Sequence, residues 1–164
     1  MQLAITDWPP GRALQRAILR RPPSSRSRRL GLRLAIPLSI KAILARDRRG
    51  VACFYEQDAE IIVPHWPGLA ERYTGSDGFL DFFTDWTQIW GELELEQIEV
   101  IDLGQSLLLL GRMHTKGGSS GVRTSQPYAC LQHYSAGKVA RGEWFLAWEE
   151  GMAAAGLEGE PLPS

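Results

Sequence analysis

"RYTGSDGFLDFFTDWTQIW", residues 72–90, sets three Phe and three Trp/Tyr beside two aspartates four residues apart, Asp81 and Asp85. Helical spacing gathers Phe79, Phe82, Phe83, Trp86, Ile89 and Trp90 on one broad arc, with Leu80 at its margin. Thr84, Gln88, Asp81 and Asp85 fall on the opposite arc. Thr74 or Ser76 is the expected N-cap, and Asp77 suits the positive end of the helix. The stretch therefore reads as a helix whose aromatic face covers a sheet. Its aspartates point to solvent, away from any chemistry.

Downstream lie four strand candidates. Residues 92–101, "ELELEQIEVI", alternate, but the apolar parity shifts between Leu95 and Ile98, which predicts a bulge near Gln97. Residues 106–114, "SLLLLGRMH", are apolar on both faces at first, as expected of a central strand. A Gly-Ser turn leads to residues 122–134, "VRTSQPYACLQHY". After "SAGK" comes a last strand, "VARGEWFLAW", and a short helix closed by Gly156. Upstream, "AEIIVP" reads as a first strand stopped by Pro64. Residues 38–45 form two helical turns, and Asp47 caps a second short helix on which Val51, Phe54 and Tyr55 share a face. Helices followed by hairpin-linked strands predict an α+β domain with the helices on one face of a curved antiparallel sheet.

The 164 residues make one domain the working expectation, and no apolar run reaches the roughly 18 residues of a membrane-spanning helix. The formal net charge of −1 hides a split. Through Gly50 there are twelve Lys/Arg against Asp7 and Asp47, and beyond it six against seventeen acids. An acidic body argues against a nucleic-acid surface on the folded domain, which needs clustered cations. Cys53 and Cys130 show no CxxC spacing, and His65, His114 and His133 fall on separate elements, so no metal site is expected and a reduced, cytoplasmic protein is. Residues 1–37 are Arg-, Pro- and Ser-rich and read as a disordered basic extension, with a possible short helix at 11–20. "SRRLGLR" at 27–33 resembles a twin-arginine signal and the head a transit peptide, but the plain tail is the favoured reading. Removing residues 1–30 is accordingly expected to leave the melting temperature unchanged.

Taken in order, "DAEIIVPHWPGLAERYTGSDGFLDFFTDW", "LELEQIEVIDLGQSLLLLGRMHTKGGSSGV" and "QPYACLQHYSAGKVARGEWFLAWEEGMAAAGL" resemble the SnoaL-like branch of the nuclear-transport-factor-2-like superfamily. Its marks are Asp58 before the first strand, the Y-x-G-x-x-G entry to the aromatic helix, "IDLG", "GRM", "SGV", "AGK" and the closing "AAAGL". The resemblance implies a cone-shaped α+β barrel over residues 38–157, with 158–164 as a tail. It further implies one end open as a pocket and a homodimer paired through the sheet. Relatives include polyketide cyclases, ketosteroid isomerase and dehydratases, which work without cofactors, beside proteins that only bind. An acid that many relatives carry before the closing helix corresponds to Ala147 here.

Polar groups on the inner wall of an apolar cone are costly unless used, so strand parity sorts the candidates. Leu108, Leu110, Arg112 and His114 share one face of their strand, opposite Leu107, Leu109 and Met113. Tyr128, Cys130 and Gln132 share a face in the next strand, and Arg141, Glu143 and Phe145 in the last. His114 and Glu143 are the candidate acid/base pair and Tyr128 the donor to an oxyanion, as proton abstraction beside a carbonyl requires. His65, Trp66, Phe83, Trp86 and Arg112 are candidate ligand contacts. The competing reading makes Arg141 and Glu143 an exposed pair and His114 a solvated strand end. The expected partner is a small hydrophobic or carbonyl-bearing molecule, either turned over or merely bound.

Overall fold

The computed structural model describes residues 16–117 and 121–162. Its elements are α1 (Arg26–Leu44), α2 (Arg48–Phe54), β1 (Tyr55–Ile62), β2 (Arg72–Thr74), α3 (Gly75–Trp90), β3 (Glu92–Asp102), β4 (Ser106–Lys116), β5 (Arg123–Ser135), β6 (Lys138–Phe145) and α4 (Trp148–Ala154). The six strands form one sheet in the order β2-β1-β6-β5-β4-β3. This is the expected α+β class, with one correction. The sheet is not wholly antiparallel, because β1 runs parallel to β6. These two strands lie far apart in sequence, so no hairpin forces them to oppose each other.

Local chemistry sets the elements. Asp47 accepts from Arg49 N and starts α2. The register of β3 on β4 shifts between Gln97 and Glu99, where parity placed the bulge. Opposite it Gly111 leaves room for Tyr128, since a Cβ there would meet Glu96 O and the Tyr128 ring. Leu107, Leu108, Leu109 and Leu110 are all buried, as both faces of β4 are covered. Met152 of α4 closes the outer face over Leu108, Leu110, Ala129 and Leu131. Tyr55, read as helical, is instead the first residue of β1.

The inner face holds the main core. Phe79, Phe82, Phe83 and Trp86 of α3 are buried as expected, with Phe82 and Phe83 each 5.6 Å from the Trp144 ring. Tyr55 stacks on Phe79 at 4.2 Å and Tyr128 on Trp144 at 5.5 Å. Such pairs contribute about 0.5–1.5 kcal/mol each beyond area burial. The buried arc is narrower than the sequence pattern: Ile89 is 45% exposed. Asp85 is also tied down, accepting the Tyr73 hydroxyl at 3.0 Å.

The largest correction lies at the head. Residues 1–15 of the expected tail fall outside the described residues, but 16–19 are helical and α1 crosses the boundary read at residue 38. Leu32 and Ile36 join the inner core. Arg28, 1% exposed, donates from Nε and Nη2 to both carboxylate oxygens of Asp102, at 2.7 and 2.6 Å. It also donates to the carbonyls of Leu19, Arg21 and Gly104. A composition rich in Arg hid this, because one arginine of the set is a core residue. Deletion of residues 1–30 removes Arg28 and is therefore predicted to lower the melting temperature. Arg28→Met leaves Asp102 unpaired and should cost about 3–5 kcal/mol of unfolding free energy, with part recovered in Arg28→Met/Asp102→Leu. Urea unfolding of the two variants checks this; an unchanged midpoint for Arg28→Met would remove the clamp from the account.

Candidate functional site

His114, Glu143 and Tyr128 do not converge. His114 lies at the end of β4 with its side chain 38% exposed, its Nε2 3.0 Å from Glu96 Oε2. Glu143 is engaged by Arg141 Nε at 2.9 Å and lies 3.8 Å from His133 Nε2. Their partners on β5 are Ser125 and Leu131, six residues apart and thus separated by about 20 Å along the strand. Both lie on the outer face of the sheet, whereas Tyr128 is buried on the inner face. Its hydroxyl reaches Gln97 Oε1 only at 3.5 Å. The sheet itself separates the supposed base from the supposed donor.

The expected ligand contacts divide in the same way. Arg112 stacks over the Trp148 ring at 5.5 Å on the outer face. His65 has a left-handed backbone with φ 59° and a side chain 91% exposed, 3.7 Å from Glu71. Trp66, Phe83 and Trp86 are buried in the aromatic core, Trp66 edge-on to Trp86 at 4.9 Å. They hold the fold together and line no open wall together with His65.

The polar groups that do face the inside are others. Gln132, 6% exposed, donates from Nε2 to Tyr55 Oη at 3.3 Å, and its Oε1 accepts from Tyr134 Oη at 2.8 Å. The three border a cavity of about 20 Å³, whose apolar walls include Leu19, Leu32, Ile36, Phe54 and Val139. Parity had put Gln132 on the Tyr128 face of its strand, which the register turns inward. Nothing in the sequence brought Tyr55 and Tyr134 to it. The turn carrying Ile18 and Leu19 roofs the cavity, Ile18 packing so closely on Gly31 that a Cβ there would meet it.

Burial raises the phenols of Tyr55 and Tyr134 above their ordinary value of 10.0, and the nearby Cys130 adds to both. Cys130 is itself buried and its thiol is pushed up, so it stays protonated and inert. Tyr134 also feels Arg28 and Asp102, but the Asp102 carboxylate already accepts from Arg28 and from Gly104 N. Among the described residues, no carboxylate or imidazole lines the cavity, and no group of three His, Cys, Asp or Glu is placed to hold a metal. Two buried indole donors, Trp86 Nε1 and Trp144 Nε1, meet no acceptor among the described residues. Among the described residues, the cavity lining can thus offer hydrogen bonds to oxygen atoms but holds no carboxylate or imidazole, and the nearby inward Asp102 is taken up by Arg28.

The comparisons agree on architecture. No protein-family model matches the chain, and no curated protein matches it. Among solved structures, TerC co-crystallised with polyporic acid superposes with a TM-score of 0.62 at 21% identity, covering 76% of this chain and 95% of that one. A nuclear-transport-factor-2-like protein of unknown function from Burkholderia pseudomallei K96243 gives 0.60 at 19% identity, over 73% and 93%. The chain has the nuclear-transport-factor-2-like fold. A protein described as a SnoaL-like polyketide cyclase from Jannaschia sp. CCS1 gives 0.57 at 15% identity, over 78% and 92%. In this nuclear-transport-factor-2-like cone the inner face of the sheet and the N-terminal helices enclose the cavity just described.

The raised phenols give a stability statement with a definite sign. The fold favours the neutral tyrosines, so their contribution is complete below about pH 10 and is lost as pH rises above that, where the unfolded phenols ionise. In an alkaline titration, phenolate absorbance of the buried tyrosines should grow only together with loss of the circular dichroism signal. Full ionisation of all tyrosines with the dichroism intact would contradict the buried network.

Proposed function

We propose that this chain binds a small, largely apolar molecule bearing a carbonyl or hydroxyl oxygen at the mouth of its cone, without acid/base turnover. The observation that carries this is the Tyr55–Gln132–Tyr134 network set in an otherwise apolar wall. An apolar guest supplies the area, and a phenol or amide fixes its one oxygen. TerC, of the same fold, was crystallised with polyporic acid, which supports testing organic acids and ketones first. Turnover by His114 and Glu143 is not part of this reading, because they open on the other side of the sheet.

The cavity, at about 20 Å³, has room for about one water. Entry of a guest therefore requires the turn with Ile18 and Leu19 to swing outward. Thermal-shift screening of aromatic ketones, quinones and hydroxylated polycycles should find stabilising ligands. Gln132→Leu should weaken a hit by about 1–3 kcal/mol, the cost of leaving a buried polar partner unpaired, while Glu143→Gln leaves it unchanged. A hit lost on Glu143→Gln and retained on Gln132→Leu would move the site to the outer face.

The homodimer implied by the fold belongs to the same proposal. Light scattering is expected to give twice the 18.3 kDa of one chain. A monomer at all concentrations would reject it.

A further inference from the structure

We infer that the outward stripe of α1 docks on an anionic lipid surface. Leu30 and Leu34 are 61% and 62% exposed and Leu38 39%, one helical turn apart in succession. Arg29, Arg33 and Lys41 are exposed beside them. On a helical projection Leu30, Leu34, Leu38 and Lys41 lie opposite Leu32, Ile36 and Ile43, which face the core, and Arg33 and Arg29 flank this stripe along one side. A helix that has already buried one apolar face thus presents a second one, edged with cations.

Two features favour a bilayer over other occupants. From residue 16 to residue 50 the exposed charged side chains are all cationic, while the half-buried Asp47 caps α2. Glu96 of β3 is turned to the other side of the sheet, where it meets His114, and Glu92 and Glu94 border only the C-terminal end of α1 at Ile43 and Leu44, beyond the Leu30–Leu38 stripe. Anionic headgroups attract such cations, whose aliphatic stems lie along the interface, and the leucines enter the acyl boundary. A phosphate backbone has no place for the intervening leucines, and a symmetric contact of α1 with a second copy would set cations against cations. Next to the stripe, an open groove that includes Leu44 and Leu95 extends the apolar surface toward β3. Because α1 also walls the cavity, docking brings the cone mouth to the membrane; the docking itself stands whether or not the ligand reading does.

The test is cosedimentation of the full chain with phosphatidylcholine vesicles, with and without about one-third phosphatidylserine. The chain should pellet only with the anionic vesicles and progressively less as salt rises. Arg29→Glu/Arg33→Glu should weaken the association at least ~25-fold, from about fivefold per cation removed. Leu30→Ser/Leu34→Ser, which leaves charge and core intact, should weaken it about tenfold. Circular dichroism confirms that each variant is folded. The proposal is overturned if anionic vesicles do not bind, or if neither pair changes the binding. It is equally overturned if the leucine pair leaves vesicle binding intact but splits a dimer. Tight binding to duplex DNA that the arginine pair abolishes, with no vesicle binding, would assign the stripe to nucleic acid instead.

Discussion

A guanidinium taken out of water is tolerable only if its charge is met and each of its N–H groups finds an acceptor. Arg28 meets that requirement with five hydrogen bonds: two to Asp102 and three to the carbonyls of Leu19, Arg21 and Gly104. Those acceptors belong to three separate pieces of chain, the turn before α1, the end of β3 and the β3–β4 turn. The satisfied cation therefore fixes how the N-terminal segment sits on the sheet. Its net contribution to stability is modest, since desolvation offsets most of the attraction, but its geometry leaves no alternative seat for the segment. Leu19 is held over the inner face as a consequence, and the cavity acquires a roof.

Much of the architecture was legible because it rests on periodicity. The arc of Phe79, Phe82, Phe83 and Trp86 marked α3, and the parity slip near Gln97 marked the bulge that the register shift between Gln97 and Glu99 confirms. What periodicity does not carry is pairing between distant strands, so the parallel contact of β1 with β6 was not foreseen. The head was misread for a different reason. Composition averages over residues, and an Arg-rich segment looks solvated even when one of its arginines is the most buried charge of the domain.

The candidate site shows where strand parity helps and where it stops. Parity correctly put His114 on one face and Tyr128 on a face of its own strand, but it says nothing about which faces of neighbouring strands coincide. That is fixed by register. With Gly111 opposite Tyr128 and Leu131 opposite Glu143, the inward set becomes Tyr128, Cys130, Gln132 and Trp144, and His114, Arg141 and Glu143 fall outside. The outer face accommodates them because water solvates polar and charged groups there, and the short contacts of Glu143 with Arg141 and of His114 with Glu96 follow from adjacency alone.

An inner wall of phenols, an amide and indoles has a chemical consequence. Such groups orient an oxygen without exchanging a proton with it near neutrality, and burial drives the phenols still further from ionisation. On the proposed binding reading, retention of a guest depends on fit and on the roof rather than on reaction. The roof is fastened at one end by the fivefold-bonded Arg28 and at the other by Arg16, whose Nε donates to Ala136 O, with Ile18 packed against Gly31 between them.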